Sequence, residues 1–129
     1  MGQQQLLLIV LGFIVVTTAV IIGINMFTAA EEEANRDALV SVLTSLGTMA
    51  QEYYHTPVEY TGGNKKFKGW KIPKAYKNFD GGKFIVKFNK KEQEVTITAT
   101  GTSKGRDNKE KVEVEAKVKP TFMRIKTLN

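Results

Sequence analysis

Residues 6–24 read LLLIVLGFIVVTTAVIIGI, nineteen positions of which only Thr17 and Thr18 are polar and none is charged. As an α-helix at about 1.5 Å per residue the run would be about 28 Å long, close to the hydrocarbon thickness of a bilayer. Uncharged residues extend it from Gly2 to Ala30, and Glu31, Glu32 and Glu33 close it. Three glutamines, Gln3, Gln4 and Gln5, stand in front, where a cleavable secretory signal would carry lysine or arginine. The run exceeds a signal's apolar region and the sequence behind it continues as helix, so it is expected to stay in the working protein. Cleavage after Ala30 has only the small residues of TAA in its favour. With no base ahead of the span, lysine and arginine give no orientation, and a short basic leader removed before Met1 would account for this.

Past Thr28 the pattern becomes amphipathic. Leu39, Val42, Leu43, Leu46, Met49, Ala50 and Tyr53 recur at steps of three and four, while Asp37, Ser41, Thr44, Thr48 and Glu52 occupy the other side. Nothing between Gln5 and Tyr54 stops a helix, since Gly12, Gly23 and Gly47 each cost only about 1 kcal/mol relative to alanine. Pro57 ends it by restricting Thr56. A helix of about fifty residues would be about 75 Å long, more than twice what a bilayer needs. Its second half therefore requires a partner surface, and Leu39, Val42, Leu43, Leu46, Met49 and Tyr53 are the expected contacts.

Charge divides the chain in the same way. The net +6 combines one base and six acids in residues 1–60 with eighteen bases and seven acids in residues 61–129. A basic body thus follows an apolar and then acidic stalk. There is no cysteine, which excludes disulfides, thiolate metal sites and covalently attached haem.

From residue 58 a period of two replaces the helical one. Phe84, Val86 and Phe88 alternate with Ile85 and Lys87; Val95, Ile97 and Ala99 alternate with threonines; Val112, Val114, Ala116 and Val118 alternate with Glu113, Glu115 and Lys117. These predict three half-buried antiparallel strands, with a short edge strand in TFMRIKTL after Pro120. FDGGKF and FNKKEQEV supply turns, and TGTSKGRDNKEK is expected as a long polar hairpin loop. Residues 58–82 read as an irregular connector whose Tyr60, Phe67, Trp70, Tyr76 and Phe79 pin into the core. The expected fold is α+β, one long helix on a small antiparallel sheet. Its segments are 1–28 (apolar helix), 29–55 (amphipathic continuation) and 56–129 (basic sheet head).

The pattern MGQQQLLLIVLGFIVVTTAVIIGI followed by ALVSVLTSLGTMAQEYY, leading into a small sheet, resembles the type IV pilin family. The resemblance covers residues 1 to 54 in sequence pattern and the remainder in architecture. It implies the major subunit of an extracellular pilus-like filament, with attachment or adhesion as its role. The subunit waits in the inner membrane, a prepilin peptidase removes a leader and often methylates the new N-terminus, and the assembly machinery bundles the helices into a helical homopolymer. Three differences point to a divergent lineage: Gln5, or Leu7 if cleavage follows Gly2, replaces the family's glutamate; the apolar helix lacks proline; and no disulfide loop exists. The alternatives are a pseudopilin of a secretion system, or a monomeric membrane-anchored module binding an anionic ligand such as DNA.

Assembly itself has a physical basis, since apolar helices outside a membrane find a satisfactory solvent only in one another. Burying each such side chain is worth about 1.5 kcal/mol or more. Met1, Gln3, Gln4, Gln5, Leu6, Leu7, Leu8, Leu11, Phe13, Val16, Val20 and Ile24 are the expected assembly contacts. The glutamines would pair between stalks or with a neighbour's amine, the bland reading being a polar cap. Gly12 and Gly23 are the positions where the resemblance raises helix unwinding, against close helix packing through small residues. Weak DNA or anionic-surface binding by the basic head is a further expectation. His55 reads as a helix C-terminal residue favoured by the dipole, and Glu31, Glu32, Glu33 and Asp37 as a solvated run. No catalytic constellation, metal site or cofactor is expected.

Overall fold

The computed structural model describes residues 2–60, 62–77, 79–91, 93–107 and 109–129. Helix α1 runs Gly2–His55, followed by a 3-10 turn Val58–Tyr60, a one-turn helix α2 at Lys74–Lys77, and strands β1 (Gly82–Phe88), β2 (Val95–Lys104), β3 (Lys111–Val118) and β4 (Met123–Thr127). The chain forms two compact units, Met1–Glu31 and Glu32–Asn129. The second contains the sheet and the rest of α1, an α+β arrangement with the helix laid on four antiparallel strands in the order β1-β2-β3-β4.

Each strand of the head alternates, and the apolar set faces the helix. Val95, Ile97 and Ala99 of β2 and Val112, Val114, Ala116 and Val118 of β3 are fully buried against Leu39, Leu43, Leu46 and Ala50 of α1. Fully burying a side chain of the size of leucine contributes about 1.5–3 kcal/mol, so this interlayer seam dominates the head's stability. Phe67 and Trp70 of the connector close one side of the core. Val42, Met49 and Tyr53 are half-buried at the rim of the same cluster, and Asp37, Ser41, Thr44, Thr48 and Glu52 are exposed opposite them.

Three details depart from the sequence expectation. Tyr54, beside the expected Tyr53, is the aromatic that enters the core: its ring lies 4.9 Å from Phe67 and its hydroxyl bonds Gln93 Oε1 at 3.0 Å. At α1's last turn the stripe falls between the two positions, and Tyr53 instead donates its hydroxyl to Lys68 O at 2.7 Å. Tyr60 is 73% exposed and not pinned in the core, because its 3-10 turn contributes no buried residue. The long hairpin loop is shorter than expected, with β2 continuing to Lys104 and β3 starting at Lys111. Threonine, serine and lysine at 102–104 carry no apolar alternation, so only their pairing reveals them as strand.

The helix end is closed by the connector. Gly63 N bonds Tyr53 O at 2.8 Å and Lys65 N bonds Tyr54 O at 2.8 Å, satisfying carbonyls that the helix leaves open. His55 Nε2 sits 2.9 Å from Pro120 O, and Gln51 Nε2 donates to Lys119 O at 2.9 Å, tying the same turn to the segment before β4.

Candidate functional site

Leu6, Leu7, Leu8, Leu11, Phe13, Val16, Val20 and Ile24 are all exposed, from 55% at Val20 to 73% at Phe13. The strongest eighteen-residue window of α1 has a mean hydropathy of 3.0 with none of it buried. An ordinary amphipathic helix shows one apolar side, whereas this one is apolar on every side. Its few polar groups are turned inward: Thr17 and Thr18 hydroxyls donate to Phe13 O at 2.7 Å and Ile14 O at 2.8 Å. Such back-bonding satisfies a hydroxyl without water, so the surface between Leu6 and Ile24 is compatible with lipid or with other apolar helices. This is one helix long and apolar enough to cross a membrane.

Gln3, Gln4 and Gln5 sit exposed on the first turns of α1, and their amides make no hydrogen bond among the described residues. Met1 lies outside those residues. In the single chain α1 is helical through Gly12 and Gly23, and a Cβ at either would meet nothing within 4 Å. Unwinding there is thus not a feature of the isolated subunit, while the bare backbone at both positions suits close helix approach.

The acidic run is divided by its contacts. Glu32 pairs with Arg36, whose guanidinium also reaches Asn129 O at 3.3 Å, while Glu31, Glu33 and Asp37 are exposed. Among the described residues no group of three His, Cys, Asp or Glu side chains is placed to hold a metal ion.

Sequence reasoning missed the residues that lock the head together. Asn35 of α1 donates its Nδ2 to Gly81 O at 2.9 Å and accepts from Thr102 N at 3.1 Å and Ser103 N at 3.3 Å. The last two amides lie in the register irregularity between Thr100 and Lys104, where the β2 to β3 ladder is interrupted. Gly101 faces Asn35, and a Cβ there would collide with its Oδ1. Gly47 is likewise buried where a Cβ would strike Met123 Sδ and approach Val118 to 3.2 Å.

Asn129 does comparable work at the far hairpin. Its Nδ2 donates to Asp107 Oδ1 at 3.2 Å and Lys111 O at 3.1 Å. Amides of Lys109 (2.9 Å) and Glu110 (3.0 Å) also donate to Asp107 Oδ1, and these bonds hold its carboxyl below the ordinary aspartate range.

Clefts open on the basic head. One, of about 470 Å³, is bordered by Lys77, Asp80, Lys83, Thr100, Thr102 and Lys111 among others. Another, of about 280 Å³, is bordered by Glu94, Lys117, Lys119, Phe122 and Arg124.

Comparison of the chain with protein-family models, curated proteins and solved structures returns no match.

Proposed function

We propose that this chain is the structural subunit of an extracellular, type IV pilus-like filament, held in a membrane until its N-terminal helices bundle into the filament core. The observation that carries this reading is the uncharged, exposed segment from Leu6 to Ile24 in a chain whose head has its own closed core. A head with a complete core gains nothing from that helix. The segment must therefore find its partner in lipid or in other copies, and a polymer gives each apolar face a neighbour.

The pattern resemblance to pilins supports the same reading, with Gln5 standing where the family carries an acid. An uncharged amide still accepts a hydrogen bond from a neighbouring helix or free amine when water is excluded. Because the head's core is complete in one copy, a single membrane-anchored module is the competing reading.

Electron microscopy of material sheared from producing cells distinguishes the two. The filament reading expects long fibres that label with antibody to the head. Chain found solely in the membrane fraction as single detergent-soluble copies would favour the anchored module.

A further inference from the structure

The face of the sheet turned away from α1 carries a row of cations whose neighbours do not neutralise them. Pairing places Lys87 opposite Thr96, Thr96 opposite Lys117, and Lys117 opposite Arg124, so one row crosses all four strands. Thr96, Lys117 and Arg124 each lie between buried or half-buried residues of their strands, and exposed Lys87 follows half-buried Val86, which puts all four side chains on the outer face. With strands about 4.8 Å apart, three positive charges stand along roughly 14 Å.

Lys117 and Arg124 are directly opposed like charges, an arrangement that costs stability in a sheet. None of Lys87, Lys117, Lys119 and Arg124 has a carboxylate within 4 Å among the described residues. Retaining such a pair is reasonable where an external anion compensates it. At the β4 end the row opens into the 280 Å³ cleft, where Lys119 adds a third base, its Nζ 4.9 Å from the Phe122 ring centre.

The other lining groups choose among anions. Glu94 borders the cleft, and Glu115 lies one row along, opposite Thr98 and Lys126. A deoxyribose-phosphate backbone presents only acceptor oxygens and offers these carboxylates no donor. A sugar acid offers hydroxyls that donate to Glu94 and exchange hydrogen bonds with Thr96, while its carboxylate meets Lys117 and Arg124. Stacking of nucleic-acid bases needs free aromatic faces, and on Phe122 the Lys119 ammonium already lies over the ring.

We propose that the row Lys87, Thr96, Lys117 and Arg124, with the Lys119 cleft at its end, binds a linear, carboxylate-bearing polysaccharide. The site belongs to the head of each copy and does not depend on whether the chain polymerises.

The test uses the full chain in nonionic detergent, with immobilised polygalacturonate as probe and dextran and duplex DNA as comparators. Salt-sensitive binding to polygalacturonate, absent on dextran and weaker on DNA, is expected. The double substitution Lys117→Gln with Arg124→Gln should weaken it at least tenfold, and Lys71→Gln with Lys74→Gln, equal in charge, less than twofold. Lys117→Glu should abolish binding while keeping or raising the unfolding midpoint, because it sets opposite charges across the β3 to β4 pair. No binding to polygalacturonate, tighter binding to DNA, or equal losses in the two double variants would overturn the proposal.

Discussion

Asn35 donates its amide to the carbonyl of Gly81 at 2.9 Å, joining α1 to the turn before β1 across forty-six residues of chain. The same side chain receives the Thr102 and Ser103 amides at the β2 irregularity, so one helix position fastens two separate sheet elements. Leaving such groups without a partner costs about 1–3 kcal/mol. Asn35→Ala is therefore expected to lower the head's stability by that order. Asn35→Asp, which keeps the acceptor and removes the donor, should fall between. Chemical denaturation of both variants checks the ranking, and an unchanged midpoint for Asn35→Ala would remove the clamp from the account.

Among the described residues, the head's core draws only on those from Leu39 onward. Residues 32–129 produced alone are thus expected to fold as a soluble monomer with a cooperative unfolding transition. Within that fragment Leu43→Ala should cost about 2–5 kcal/mol, as for other fully buried leucines. Circular dichroism and size-exclusion chromatography report both, and aggregation of the unsubstituted fragment would show that the apolar segment is needed for folding.

Asp107 supplies a pH dependence of known sign. Backbone bonds from Lys109 and Glu110 lower its folded-state pKa below the ordinary 3.8. The associated stabilisation is complete above that ordinary value and is lost as pH falls through the lower, folded-state value. Protection factors of the Lys109 and Glu110 amides, corrected for intrinsic exchange, should fall in that acid range, and in Asp107→Asn this acid-linked step should disappear. Protection factors for these two amides that respond to acid identically in the native protein and in Asp107→Asn would contradict it.

Much of this arrangement is legible in the sequence because burial leaves a period. Uncharged residues at 6–24, steps of three and four from Leu39, and alternation from Val95 and Val112 give the helix, its two halves and the sheet. Asn35 is not legible, because an asparagine beside an acidic run looks solvated and its partners lie far along the chain. Gly47 reads as a small helix cost, and only the packed Met123 explains why no side chain fits. The cationic row is hidden for a different reason. Lys87, Lys117 and Arg124 become neighbours only through register, which alternation constrains to a face and not to a partner.

Gln5 carries the smallest and most specific assembly prediction. If amides of neighbouring stalks pair in a dry filament core, Gln5→Leu should reduce filament yield while leaving membrane insertion and head stability intact. Quantifying sheared filaments against total chain measures this. An unchanged yield would return Gln5 to the role of a polar helix cap.

The central claim is that the apolar segment meets other copies of itself. Cryo-electron microscopy of sheared material tests it most directly. The expected map has a core of helices built from residues 6–24, with neighbouring axes about 8–10 Å apart, and heads on the outside. Filaments whose core lacks these helices, or surface preparations in which the chain forms no filament, would contradict the account.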